Sequence, residues 1–157
     1  MVVISELARI RADGRVIDAR MTLDRMIGLG WEPSKVIEVC WRWEGELLRL
    51  ANHLGLLVMV APDRQHLAVL WNHDAEGLDA TLYVVAGDKR KFTRVPGELM
   101  INGNAEAVTY LWFEHPAHAS PGTFICICIC SRRRDHANYR VDIDAVTASV
   151  LSVRPCR

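Results

Sequence analysis

One segment, TFICICIC at residues 123–130, constrains the fold of this chain more than any other. Side chains alternate between the two faces of an extended strand, so Phe124 and the three cysteines share one face and the three isoleucines share the other. Both faces are therefore apolar, and a strand of this kind needs cover on both sides. We predict a central β-strand here, covered on one face by helices and on the other by sheet curvature or a second subunit.

The cysteines in this segment do not have the spacing of a metal site. At a rise of about 3.3 Å per residue, Cys126 and Cys130 stand roughly 13 Å apart along a strand. A zinc ion holds each sulfur at about 2.3 Å, so the three thiols of a straight strand cannot share one ion. No CxxC motif occurs, and five cysteines cannot form a complete set of disulfides within one chain. The sequence therefore predicts buried thiols, with no metal and no cofactor.

Strand-like alternation also dominates the chain from residue 56 onward, where short apolar runs are separated by turn residues. Tight turns are indicated by PDRQ and GDK, and longer connections by NHDAEGLD, PGELMINGNAE and SRRRDHAN. The tail TASVLSV is compatible with either a short helix or a last strand. The predicted strands are Leu56–Ala61, His66–Trp71, Ala80–Ala86, Arg90–Val95, Ala107–Phe113, Thr123–Cys130 and Tyr139–Val146.

The first 55 residues show helical spacing instead. An apolar stripe at three- and four-residue steps predicts a long helix from Pro33 to Leu54, with Gly55 just past its end. Shorter helices are predicted after Ser5 and after Thr22, the second ending at Gly28 or Gly30. The stripe comprises Val36, Cys40, Trp43, Leu47, Leu50 and Leu54.

Helices followed by strands indicate an α+β fold. We predict N-terminal helices packed on one face of a curved six- or seven-stranded, mainly antiparallel sheet. A chain of 157 residues is the size of one domain. The predicted domain spans residues 1–157, with a helical part at 1–55 and a sheet part at 56–157.

The leading functional hypothesis is a cytoplasmic binding module with an apolar pocket for a small molecule or a peptide. Trp43, Trp71 and Trp112 are its candidate ligand-binding residues, because aromatic side chains line such pockets. The N-terminus has no basic lead before Glu6 and Arg9, and the longest apolar run, residues 54–62, is too short to span a bilayer. We therefore expect no membrane association. The two-faced apolar strand also predicts a homodimer.

A second hypothesis is a hydrolase-like enzyme that uses loop residues. If the strands form a single meander, the loops at 72–79, 96–106 and 131–138 lie at one end of the sheet, opposite Arg64 and His118. The candidate catalytic residues are His73, Asp74, Asp135 and His136, because a histidine beside a carboxylate can act as a general base.

A third hypothesis is a nucleic-acid-binding or ribonuclease-like protein in which Arg132, Arg133 and Arg134 contact phosphates. Nineteen basic and nineteen acidic residues give no net charge, which counts against nucleic-acid binding. The segment ISELARIRADGRV and the following LDRMIGLGWEPSKVIEVC resemble the helical opening of small mRNA-cleaving bacterial toxins of the motility quorum-sensing regulator type. This resemblance implies a helical start and a ribonuclease activity, but it covers only the first quarter and provides no catalytic positions.

Overall fold

The computed structural model describes residues 1–132 and 137–156, and this part of the chain is almost entirely antiparallel β-sheet. It contains one α-helix, α1 (Leu23–Gly28), and one 3-10 turn, Pro116–His118. No helix within the described residues is long and apolar enough to cross a membrane. The strands are β1 (Ser5–Arg11), β2 (Val16–Ile17), β3 (Val36–Trp43), β4 (Glu46–Ala51), β5 (Leu56–Val60), β6 (His66–Asn72), β7 (Ala80–Ala86), β8 (Phe92–Arg94), β9 (Glu98–Ile101), β10 (Asn104–Phe113), β11 (Thr123–Cys130), β12 (Asn138–Asp144) and β13 (Val150–Pro155).

These strands form three sheets. Sheet I has the order β2-β1-β3-β4, sheet II the order β5-β6-β7-β8, and sheet III the order β13-β12-β11-β10-β9. Sheet II lies between the other two, because its two faces contribute to two separate core clusters. Leu67, Val69 and Val85 pack with sheet I, whereas Ala68 and Leu70 pack with sheet III. Both faces of sheet II are therefore buried, which explains the continuous apolar run of β6.

The predicted α+β fold with N-terminal helices is wrong. The segment predicted as a helix from Pro33 to Leu54 forms the hairpin β3–β4, whose two-residue loop is Glu44-Gly45 with φ of 50° and 78°. Positive φ at both loop positions is the geometry that matches the twist of a hairpin. The β-branched and aromatic residues of VIEVCWRW favour a strand, and the three- and four-residue steps of its apolar residues are incidental.

The helix predicted after Ser5 is also wrong, because that segment is β1, which pairs with β3. The resemblance to mRNA-cleaving toxins rested on helical spacing, and it loses its basis with these helices. One N-terminal helix is confirmed. Thr22 caps α1, since its hydroxyl oxygen accepts a hydrogen bond from the Arg25 amide at 3.1 Å, and the helix ends at Gly28.

Each predicted strand corresponds to a strand of the structure, and Ala80–Ala86 and Thr123–Cys130 match at both ends. The single curved sheet is wrong, however, because these strands are divided between sheets II and III. Sheet III begins with β9, whose hairpin to β10 turns at Asn102-Gly103 with φ of 52° and 81°. The meander through one sheet, on which the grouping of the loops rested, is therefore absent.

Sheet I is held against sheet II at the turn between β7 and β8. Trp41 is fully buried, and its Nε1 donates a hydrogen bond to the Gly87 carbonyl oxygen at 2.7 Å. The Gly87 amide in turn donates to the Gln65 carbonyl oxygen at 2.8 Å. The ring of Trp43 lies directly over Gly87, where no space remains for a Cβ atom. Two tryptophans of β3 thus fix one layer to the next.

The cysteines of β11 lie in the core between sheets II and III. Cys126 and Cys128 have no exposed surface, and burial raises the pKa of the Cys128 thiol to about 12. Burial also raises the pKa of Cys126 and of Tyr110, which packs in the same cluster. These thiols therefore act as small apolar side chains and stay protonated over the physiological range.

We expect the free energy of unfolding to decrease as the pH rises above about 9. An unfolded thiol ionises near its ordinary pKa of 9.0, whereas folded Cys128 holds its proton up to about 12. The folded state then binds more protons than the unfolded state, so raising the pH favours unfolding. Urea midpoints measured between pH 8 and 10.5 check this, and a Cys128→Ala variant should show a shallower decline. A midpoint that does not change over this range would contradict the expectation.

Candidate functional site

The outer face of sheet III, which points away from sheet II, carries a row of four side chains in register. Trp112 of β10 lies opposite Ile127 of β11, Ile127 opposite Arg140 of β12, and Arg140 opposite Arg154 of β13. Cross-strand partners point to the same face of a sheet. An exposed tryptophan and two arginines therefore occupy one line across this face.

A second row runs beside the first. Glu114 follows the end of β10 and donates its amide to the Ile125 carbonyl oxygen at 3.0 Å. Ile125 pairs with Asp142, and Asp142 pairs with Ser152. The carboxylate of Asp142 accepts a hydrogen bond from the Ser152 hydroxyl and one from Arg154 Nη2 at 3.1 Å. Asp142 is thus engaged by two side chains of β13.

The isoleucine face of β11 is covered within this chain. Ile125 and Ile127 are 1% and 2% exposed, although their face points away from the core cluster that contains the cysteines. Long side chains of β10 and β12 flank them on both sides, and the 3-10 turn contacts β11. The prediction that β11 is buried on both faces is confirmed.

These rows border two adjoining concavities. One has a volume of about 540 Å³ and is lined by Glu114, Arg140 and Arg154, with Pro155 and Cys156 at its edge. The other, of about 390 Å³, contains Asp142 and Ser152 and shares Arg154 with the first. Arg154 is 58% exposed and lines both concavities.

A third concavity, an apolar groove of about 480 Å³, begins on the other side of Trp112. It runs along the edge strand β5, and its two prominent exposed apolar residues are Leu57 (42% exposed) and Trp112 (45% exposed). Arg9 lines it and donates a hydrogen bond to the Val58 carbonyl oxygen at 2.7 Å. Burial lowers the pKa of Arg9. Because the Arg9 side chain already binds the outward-facing Val58 carbonyl oxygen of β5, it limits the pairing of a further strand at this edge.

Arg140 is the polar residue of this face whose hydrogen bonds are incomplete. Its Nε is buried and has no hydrogen-bond partner among the described residues. Asp142, two residues further along β12, is already bound by Arg154 and Ser152. A buried donor that lacks an acceptor costs about 1–3 kcal/mol. Arg140 thus lines the concavity without an ion pair to a described residue.

Two of the predicted catalytic residues, His73 and Asp74, lie in the loop after β6 and not on this face. His73 is exposed and its Nε2 is 2.7 Å from Thr81 Oγ1, while Asp74 accepts a hydrogen bond from the Leu78 amide at 2.9 Å, as a turn residue does. Asp135 and His136 lie outside the described residues. The structure thus brings neither His73 nor Asp74 onto the face of sheet III, and the hydrolase hypothesis stays a prediction.

The predicted ligand-binding tryptophans are separated by the fold. Trp43 and Trp71 pack against the core cluster between sheets I and II, whereas Trp112 lies on the outer face of sheet III. Of the predicted phosphate-contacting arginines, Arg132 is exposed at the end of β11. Arg133 and Arg134 lie outside the described residues. Among the three candidate tryptophans, only Trp112 belongs to the face described above.

Sequence reasoning missed Glu114, Arg140, Asp142 and Arg154. The signal that could have found two of them is the alternation in NYRVDID, where Arg140 and Asp142 alternate with inward apolar residues. Their juxtaposition with β10 and β13 depends on register, which the alternation does not specify.

Comparisons with known proteins place this fold. No protein-family model and no curated protein matches the chain. Among solved structures, a chain from the structure of Tne2 in complex with Tni2 matches it with a TM-score of 0.91 and 50% sequence identity. The match covers 99% of this chain and 100% of that chain. This chain belongs to the same family as that member of the Tne2–Tni2 complex. The family's three-sheet architecture therefore occurs in a protein that assembles with another protein.

Proposed function

We propose that this chain acts by binding a protein partner, and that it is the immunity member of a toxin–immunity pair. The observation that carries the proposal is its 50% identity, over nearly its whole length, to one chain of a two-protein complex. Relatives this similar keep their backbone, so the surface that assembles in that complex is available here for the corresponding partner. An immunity protein needs only to bind its toxin and block it.

The described surface supports a binding role. The outer face of sheet III and the adjoining groove offer arginine and tryptophan side chains on rigid strands, and these residue types dominate the energy of protein interfaces. Trp112 and Leu57 are both more than 40% exposed beside one groove. An exposed apolar patch with a polar rim is typical of an interaction site.

When the purified chain is mixed in turn with Tne2 and with Tni2, we expect a stable complex with one of them only. The chain resembles one member, so it should replace that member and bind the other. Size-exclusion chromatography with light scattering would report the mass of the partner plus 17.7 kDa. Binding to neither protein would contradict the proposal.

The immunity role has its own readout. Expression of the bound partner should arrest the growth of bacterial cells, and co-expression of this chain should restore growth, because the chain blocks the toxin. Expression of this chain alone should leave growth unchanged. Growth arrest by this chain alone would show that it is the toxin of the pair and would overturn the immunity role.

The homodimer, the small-molecule ligand and the cytoplasmic location stay predictions. The homodimer was predicted from the two apolar faces of β11, and Ile125 and Ile127 on the outer face are already buried in the single chain. The light-scattering measurement on the chain alone tests it directly, since a dimer would have twice the mass of 17.7 kDa.

A further inference from the structure

We infer that the protein partner docks on the outer face of sheet III, with a carboxylate side chain on Arg140 and an apolar side chain against Trp112. This inference rests on the proposed function and specifies the chemistry of the partner at that surface. Three features of the face carry it: the place of the Arg140 side chain in the concavity, the charge pattern around it, and the exposed aromatic ring in the same row.

Arg140 is ready to bind an anion. Its stem lies beside Ile127, which is 2% exposed, so the side chain is supported by packing and loses little freedom on binding. Its Nε is shielded from solvent, so an anion would bind the terminal nitrogens of the side chain, which lines the concavity of about 540 Å³. The planar guanidinium fits a carboxylate through two parallel hydrogen bonds.

The neighbouring charges determine where an anion can sit. Arg154 lies directly opposite Arg140, and like charges in that position repel each other. Arg154 is drawn toward Asp142 at 3.1 Å, whereas Arg140 forms no ion pair with a described residue. A carboxylate bound at the terminal nitrogens of Arg140 would relieve the repulsion between the two arginines.

Glu114 sets the orientation of the partner. It lines the same concavity from the end of β10, two strands away from Arg140 and therefore about 10 Å across the sheet. A carboxylate is repelled at Glu114 and attracted at Arg140, so the acidic side chain of the partner lies toward β12 and β13. The side of the partner that faces β10 then meets Trp112.

Trp112 supplies the apolar contact. It is 45% exposed, lies in the same row as Arg140, and borders the groove that contains Leu57. Tryptophan and arginine are the residue types enriched at interface hot spots, and here they stand two strands apart with the buried Ile127 between them. The two residues therefore form one docking surface for an acidic and apolar segment of the partner.

The test measures the affinity of variants for whichever of Tne2 and Tni2 the wild-type chain binds, by titration calorimetry. We expect Arg140→Met to weaken binding on the order of 30-fold, because a partner carboxylate loses its buried counterion. Arg140→Met keeps the apolar stem beside Ile127, so the fold should be retained. Arg140→Lys should recover part of the affinity, and Arg140→Glu should weaken binding further than Met.

Matched controls lie on sheet I. Arg49→Met removes an arginine that is 61% exposed and pairs weakly with Glu38 at 3.5 Å, and it should leave the affinity unchanged. Trp112→Ala should weaken binding at least 10-fold, whereas Leu47→Ala, at a site 42% exposed on β4, should not. Urea midpoints of all variants identify any that lose stability.

The outcomes separate the inference from the proposed function. Wild-type binding that persists unchanged in folded Arg140→Met and Arg140→Glu would overturn the inference and leave the proposed function standing. Binding of the wild type to neither protein would overturn both. A chain that is dimeric alone and becomes monomeric in Arg140→Glu would assign the face to a second copy and overturn the inference.

Discussion

Replacing Trp41 with alanine is expected to lower the free energy of unfolding by about 3–5 kcal/mol. Trp41 is fully buried between sheets I and II, and its removal leaves a cavity in the smaller of the two cores. Its indole also supplies the hydrogen bond to the Gly87 carbonyl oxygen. Urea denaturation followed by circular dichroism measures the loss without depending on tryptophan fluorescence.

Two further variants separate the contribution of the indole hydrogen bond from that of packing. Trp41→Phe keeps most of the packing but removes the indole donor, so we expect a loss of about 1–3 kcal/mol from the unsatisfied Gly87 carbonyl. Trp112→Ala provides the matched control, because Trp112 is 45% exposed and should contribute much less to stability. Equal losses for Trp41→Ala and Trp112→Ala would show that sheet I is not anchored through Trp41.

Gly87→Ala is expected to destabilise the chain by about 3 kcal/mol through overpacking. A Cβ atom at Gly87 would lie 2.2 Å from Cζ3 and 2.5 Å from Cε3 of Trp43, distances that no rotamer of a methyl group relieves. The backbone there cannot easily move, because the Gly87 amide binds Gln65 and its carbonyl binds Trp41. Urea midpoints compared with wild type measure the effect.

A control at Gly97 and a double variant with Trp43 test whether the Trp43 ring causes this destabilisation. Gly97→Ala should be tolerated, since its nearest neighbour would be the flexible end of Arg94 at 3.4 Å. In a Trp43→Leu background, Gly87→Ala should cost less than in wild type, because the ring that causes the clash is gone. If the losses in the free energy of unfolding from Trp43→Leu and Gly87→Ala simply add in the double variant, the contact between Trp43 and Gly87 is not the cause of the destabilisation.

The same chain shows why local patterns identified some elements and misidentified others. Thr22 before LDRMIG was readable as a helix start because its hydroxyl caps a backbone amide three residues later. The stripe in residues 33–54 was misleading because apolar residues at three- and four-residue steps also occur in a hairpin. The deciding signal there was Glu44-Gly45, a pair that takes positive φ in a two-residue turn.

The sequence by itself determined seven of the nine described strands from residue 56 onward, and the burial of β11 with its cysteines. These follow from alternation and composition, which act over a few residues. Only the tertiary structure decided that the strands form three layers and that Trp112, Ile127, Arg140 and Arg154 stand in one row. The reason is that register and sheet partnership depend on contacts between residues distant in the chain, and a shift of one residue would turn Arg140 into the core.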